Sequence, residues 1–136
     1  MDPLFERHCF PPNERLRLQK DMDRLFVAGQ SFISYPLRIV YLPKDANPAS
    51  NSAISMLVSV SKKRIKHAVE RNRIKRLVRE SFRLNKNETV TLLRQNGKQF
   101  DIAYIYICNS ARNFTVIEKA VLKAFEIIRR KENLSL

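Results

Sequence analysis

Residues 61–86 of this 136-residue chain read SKKRIKHAVERNRIKRLVRESFRLNK and form its most basic stretch. The stretch carries eleven Lys or Arg and only two acids, so its net charge is +9, against +13 for the whole chain. Its apolar positions recur at helical spacing and predict an amphipathic helix over 68–84. They are Ile74, Leu77, Val78, Ser81 and Leu84.

The opposite face of this helix is almost entirely basic. It carries Asn72, Arg76, Arg79 and Arg83 at i, i+4, i+7 and i+11. Like charges four residues apart destabilise a helix, so folding alone explains this face poorly. A polyphosphate offsets the repulsion by releasing its counterions, and Arg makes forked contacts to phosphate. The pattern therefore favours nucleic-acid binding over a merely solvated face, on which Glu and Lys usually alternate.

Composition bounds the class of protein. The length indicates a single domain over 1–136, with the Pro-containing residues 1–14 as an extended lead-in, and 44% hydrophobic residues suffice for a core. No apolar run is long enough to span a membrane, and the N-terminus lacks the order of a signal peptide, so a cytoplasmic location is expected. A pI near 10.3 implies an anionic partner, nucleic acid before membrane.

Local patterns before the basic helix predict one helix and two strands. Residues 16–29 fit a short amphipathic helix that Gly29 would end in the left-handed conformation. Residues 33–42 are rich in β-branched and aromatic types, and residues 54–61 alternate at period two. We expect these two strands to pair with each other in antiparallel fashion.

After the basic helix, residues 101–108 form the clearest strand of the sequence, and a final amphipathic helix follows. Residues 115–118, TVIE, fit a capping box at its start. The resulting order, α-β-β-α-β-α with room for one more short strand, predicts an α+β fold. We expect a two-layer α/β sandwich, a mixed sheet with helices packed on one face.

The polypeptide lacks the residue patterns of a nuclease site. Its acids are scattered, with Asp21 and Asp23 on the first helix and Asp101 at a strand start. A protein nuclease needs a metal-holding carboxylate cluster or an acid–base pair, and neither pattern occurs. The spacing of His67 and of the two cysteines fits no metal site, and we expect Cys108 in the core. The sequence therefore predicts no catalytic residue and no metal site in the protein.

A specific sequence motif lies within the basic stretch. Residues 71–77, RNRIKRL, with Lys62-Lys63 and Ala68 before them, resemble the RNR motif of the bacterial ribonuclease P protein subunit. Many members of that family have Gly-Asn just before the Ala. This chain has Lys66-His67 there, and its spacer is one residue longer. The resemblance implies a fold like a ribosomal-protein domain, with the basic helix in a left-handed crossover between parallel strands.

The resemblance also implies partners. In that family the RNA subunit is the catalyst and holds Mg²⁺, and it removes the 5′ leader of precursor tRNA. The protein binds the RNA subunit and the leader, and the resemblance implies no membrane and no obligate protein partner. The residues implied to contact the RNA subunit are Lys62, Lys63, Lys66, Arg71, Asn72, Arg73, Lys75, Arg76 and Arg79.

The leader would lie between the first helix and the open sheet face. The resemblance places Met22 and Phe26 there, and the small side chains of Ser59 and Ser61 leave room for single-stranded RNA. Core packing is the rival interpretation of Phe26. Two other functions stay open: a ribosomal-protein-like RNA binder without processing activity, and a DNA-binding domain using 68–84 as a recognition helix.

Overall fold

The computed structural model describes residues 19–45 and 53–134, so the predicted lead-in lies outside the described residues. The elements, in chain order, are α1 (Gln19–Ala28), β1 (Gln30–Ser34), β2 (Leu37–Asp45), β3 (Ile54–Ser59), α2 (Ala68–Asn85), α3 (Asn87–Gln95), β4 (Lys98–Tyr106) and α4 (Phe114–Lys131). The predicted basic helix is confirmed as α2. The predicted strand over 33–42 is divided into β1 and β2 by a turn at Tyr35 and Pro36, where the missing N–H of proline removes no ladder hydrogen bond.

The four strands form one mixed sheet in the order β1-β2-β4-β3. Strand β2 is antiparallel to both β1 and β4, whereas β3 is parallel to β4. The prediction that the two early strands pair with each other is therefore wrong, because β4 lies between them. Most of β4 is buried on both faces, and only a central strand offers that environment. The crossover from β3 to β4 contains the basic helix.

The main core lies between one sheet face and the two long helices. Alternate residues of the strands, such as Ile39, Met56 and Tyr104, point into it. Helix α2 contributes Phe82, whose ring centroid lies 6.0 Å from that of Phe125 on α4. The apolar stripe predicted for α2 is thus corrected: Phe82 is fully buried, whereas Leu84 is 37% exposed.

Helix α1 packs on the opposite sheet face, which differs from the prediction that the helices share one face. Its Leu25 is fully buried against Val40 and Ala103. The helix ends at Ala28, directly before Gly29, as predicted. The predicted left-handed conformation of Gly29 is wrong, since Gly97 is the glycine with positive φ among the described residues. A Cβ on Gly29 would clash with the carbonyl oxygen of Leu25 in α1 and would meet Val40 Cγ1 at 2.9 Å, so this glycine permits both the tight end of α1 and its close approach to β2.

The start of α4 also differs from the sequence prediction. The N-cap is Asn113, whose side-chain oxygen accepts a hydrogen bond from the Val116 N–H at 3.1 Å. The predicted capping box over 115–118 is therefore wrong, because all four residues already lie inside the helix. The prediction that Cys108 lies in the core is confirmed.

Candidate nucleic-acid interface

Helix α2 separates an apolar face from a basic one. Ile74 and Val78 are fully buried in the main core and fix the rotation of the helix. That rotation leaves Asn72, Arg73 and Arg76 exposed to solvent. Three side chains with strong hydrogen-bonding groups therefore line one side of the helix.

The loop 61–67, which leads into α2, adds three exposed lysines. Lys62, Lys63 and Lys66 extend into solvent, whereas Ile65 between them is only 2% exposed and belongs to the core. The buried isoleucine fixes the loop backbone while the lysine stems stay free. We call these six exposed side chains the basic surface: Lys62, Lys63, Lys66, Asn72, Arg73 and Arg76.

Three other residues predicted to contact RNA are less accessible. Lys75 and Arg79 are half-buried, and Arg79 takes part in an interaction with the rest of the protein. Arg71 is also half-buried, and its Nη1 donates hydrogen bonds to the carbonyl oxygens of Ile65, at 3.0 Å, and Lys66, at 2.9 Å. The predicted set of nine therefore divides into six exposed side chains and three that also contact their own fold.

Arg64 was not predicted as a functional residue. Its Nη1 donates to the carbonyl of Ile107, at 2.8 Å, and to Asn109 Oδ1, at 3.3 Å. Its backbone N–H donates to Ser61 Oγ at 3.3 Å. Arg64 thereby connects the loop before α2 to the segment after β4. No local pattern of the sequence distinguished Arg64 from the lysines beside it.

A second exposed surface lies beside α1. Phe26 is 50% exposed and belongs to neither core cluster, whereas Met22 is half-buried against the Leu25 cluster. The strand register places a row of four residues across the same sheet face: Ile33, Arg38, Ile105 and Ser59. Ser59 is exposed, Ile105 is half-buried and Ile33 is 63% exposed. We call Met22, Phe26 and this row the α1–sheet surface.

Ser61, the remaining residue predicted to bind the leader, lies two positions beyond the end of β3. It is exposed, and its hydroxyl oxygen already accepts the hydrogen bond from the Arg64 N–H. Ser61 therefore stabilises the turn that opens the basic loop, and it lies between the two surfaces along the chain.

One carboxylate lies on the sheet face that α1 covers. The side chain of Asp101 is only 4% exposed, and its Oδ1 lies 3.2 Å from Nζ of Lys44. Burial raises the pKa of this carboxyl, while the Lys44 charge opposes the shift. The charge of Asp21 on α1 raises the pKa of the same carboxyl, and the charge of Arg24 lowers it. The pair is a structural feature that the sequence pattern did not reveal.

Cys108 lies at the other end of β4, in a polar environment. Burial raises the pKa of its thiol, but hydrogen bonds from Ser110, Tyr35 and Arg112 outweigh burial and bring the pKa to about 6. Arg112 Nε lies 3.4 Å from the sulfur.

Within residues 19–45 and 53–134, no three His, Cys, Asp or Glu side chains lie close enough together to hold a metal ion. The same part of the chain contains no helix that is both long and apolar enough to cross a membrane.

Comparison with known proteins places this arrangement in a family. The family model described as Ribonuclease P matches residues 10–129. The chain belongs to the ribonuclease P protein family. It is 41% identical over 112 residues to the ribonuclease P protein component of Porphyromonas gingivalis, covering 82% of this chain and 80% of that one. It is 34% identical over 128 residues to the component of Chlorobium phaeobacteroides, covering 88% of each.

Solved structures of the family share the fold. The ribonuclease P protein of Staphylococcus aureus superposes with a TM-score of 0.65 at 23% identity, covering 85% of this chain and 95% of that one. The ribonuclease P protein of Thermotoga maritima superposes with a TM-score of 0.63 at 25% identity, covering 84% of this chain and 96% of that one.

Proposed function

We propose that this protein is the protein subunit of a bacterial ribonuclease P. In this role it binds the catalytic RNA subunit through the basic surface and the 5′ leader of precursor tRNA through the α1–sheet surface. The observation that carries the proposal is the basic surface itself, six exposed side chains on a fixed backbone in a chain of this family. We expect the complex to act in the cytoplasm and to need no further protein.

The basic surface suits a folded RNA. Arg73 and Arg76 offer planar guanidinium groups for phosphate oxygens, and Lys62, Lys63 and Lys66 add point charges. Contacts of this kind carry no sequence information and position the protein on its partner. Affinity then comes largely from counterion release and falls steeply with salt.

The α1–sheet surface suits a single strand. An exposed aromatic ring such as Phe26 stacks on any base, and stacking is worth about 1–3 kcal/mol per base. The small side chain of Ser59 leaves space beside it, and Arg38 supplies one positive charge in the row. Because a leader is present in precursor tRNA and absent from mature tRNA, a contact here distinguishes substrate from product.

The chemistry of cleavage belongs to the RNA subunit in this proposal. The described residues offer no cluster of donors that fits a metal ion, so the protein is not expected to bind Mg²⁺. When bound to the RNA, Mg²⁺ would stabilise developing charge and activate a water molecule. The contribution of the protein is to bind the RNA subunit and to position the leader.

Reconstitution tests the proposal. The protein alone, the RNA subunit alone and the two together are incubated with precursor tRNA and Mg²⁺. We expect cleavage at the mature 5′ end by the pair, and none by nuclease-free protein alone. Metal-dependent cleavage by the protein alone would contradict the assignment of chemistry to RNA. RNA recovered with the protein from cells should be dominated by one structured species, whereas recovery of ribosomal RNA would instead favour a ribosomal-protein-like binder.

A further inference from the structure

The loop 61–67 carries several positive charges close together, and their repulsion should favour conformations in which the side chains lie further apart. Lys62, Lys63, Arg64 and Lys66 lie within five consecutive residues, and all four are exposed. Positive charges this close repel one another, and the repulsion is relieved when a flexible loop moves its side chains apart. The structure instead holds this backbone in one conformation, through a turn at Ser61 and at three further points.

The first point is apolar. Ile65 is 2% exposed and packs in the main core with the residues of α2 and β3. This contact fixes the middle of the loop, and hydrogen bonds from the Arg64 and Ile65 N–H groups to Ser61 close the turn before it. These turn hydrogen bonds are local, so they do not fix where Lys62 and Lys63 extend relative to the rest of the fold.

The second and third points are arginines on opposite sides of Ile65. Arg64 reaches away from the loop and donates to the Ile107 carbonyl and to Asn109, which anchors the loop to the segment after β4. Arg71 reaches back from the first turns of α2 and donates to the carbonyls of Ile65 and Lys66. Two guanidinium groups thus satisfy carbonyl groups and fix the loop against two different elements.

We propose that Arg71 and Arg64 are positioning residues, which hold the loop 61–67 so that Lys62 and Lys63 are presented to the RNA in advance of binding. This inference rests on the proposed function, and it assigns to Arg71 a different role from the phosphate contact that the motif implies. A loop that is ordered beforehand does not lose its conformational freedom on binding, which raises affinity. Arg73, two residues along the same helix, is exposed and remains a direct contact.

A double-mutant cycle separates positioning from contact. Arg71→Gln is introduced into the wild-type protein and into a Lys62→Gln/Lys63→Gln background, and the Kd for the RNA subunit is measured for all four proteins. A positioning residue acts through the lysines, so its loss should weaken binding about tenfold in the wild type and less than twofold without them. Arg73→Gln is the matched control and should cost the same factor in both backgrounds.

Hydrogen exchange in the free protein provides a second measurement that needs no RNA. Arg71→Gln should accelerate exchange of the amides of residues 62–66, whereas Arg73→Gln should not. If Arg71→Gln does not fold, as judged by circular dichroism, Arg64→Ala replaces it in both measurements. Arg64→Ala removes the hydrogen bonds between the same loop and the segment after β4.

The outcomes are distinct. An equal loss of affinity in both backgrounds would show that Arg71 contacts RNA directly. No loss of affinity in the wild-type background would show that the loop needs no such support. Either result overturns the inference, as does an unchanged rate of amide exchange over 62–66. The wild-type titration reports separately on the proposed function, because a protein that does not bind the RNA subunit contradicts that function whatever the exchange shows.

Discussion

The basic surface and the α1–sheet surface differ in both charge and construction. The basic surface displays five cations and an amide on a loop and a helix that hydrogen bonds and a buried isoleucine hold in place. The α1–sheet surface has a single charge, Arg38 in its strand row, and otherwise presents aromatic, aliphatic and small side chains. The first suits a partner recognised by its phosphates, and the second suits one recognised by its exposed bases.

The difference suggests how one small domain could divide two tasks. Phosphate contacts are strong, depend on salt and do not distinguish sequences. Stacking contacts distinguish a single strand from a duplex, because bases in a duplex are already stacked. Variants in one surface should therefore leave binding at the other surface nearly unchanged.

The largest effect is expected from the basic surface. Arg73→Ala with Arg76→Ala removes two exposed guanidinium groups without touching the core. If each makes a charge-assisted hydrogen bond worth about 1.5 kcal/mol, affinity for the RNA subunit should fall about a hundredfold. The slope of log K against log salt should become shallower by about 1.5. A salt titration of binding measures both, and an unchanged slope would show that these residues do not contact phosphate.

The next effect is expected from Phe26→Ala. Loss of one stacking contact should weaken binding of precursor tRNA to the holoenzyme about ten- to a hundredfold, and should leave mature tRNA and RNA-subunit binding nearly unchanged. Phe26 is half-exposed, so the fold should survive the change. Val27→Ala is the matched control, since Val27 is an adjacent side chain that is 87% exposed. Equal loss of both tRNAs would place the leader elsewhere.

A smaller effect tests whether α1 acts as one unit with the sheet. Gly29→Ala forces a methyl group against the Leu25 carbonyl oxygen and Val40, and overpacking of this kind costs about 1–3 kcal/mol. We expect a lower free energy of unfolding and a weaker preference for precursor over mature tRNA, with RNA-subunit binding unchanged in the folded protein. Denaturant unfolding and the two tRNA titrations measure these quantities. Full stability with Ala at this position would show that α1 can move away from β2 without cost.

The sequence predicted the faces of individual elements better than their neighbours. The helical spacing of Ile74 and Val78 correctly identified the buried side of α2, and the period-two alternation of β3 identified its inner face. Periodicity reports which side of an element is apolar, but not which other element covers it. The central place of β4 and the position of α1 on the second face therefore required the structure.

The different contacts of the arginines could not be read from the motif. Arg71 and Arg73 have the same side chain and lie two residues apart, so composition and spacing treat them alike. They differ because the loop 61–67 folds back beside Arg71, whose guanidinium group meets the carbonyls of Ile65 and Lys66. A contact of this kind depends on the path of the backbone before the helix, which no local pattern specifies.

The smallest effect concerns Asp101, which lies on the α1-covered sheet face and therefore links the stability of that region to pH. Burial raises the pKa of this carboxyl in the folded protein above its unfolded value, although Lys44 and Arg24 act in the opposite direction. The folded state then binds the proton more tightly than the unfolded state. The contribution of Asp101 to the free energy of unfolding therefore increases as pH falls from the folded pKa to the unfolded pKa. Asp101→Asn removes this dependence. Stability of the wild type relative to Asp101→Asn should therefore increase on acidification from pH 7 to below the unfolded pKa, as measured by denaturant unfolding at a series of pH values. A difference that shrinks as pH falls would mean that the Lys44 pair, rather than burial, dominates at this site.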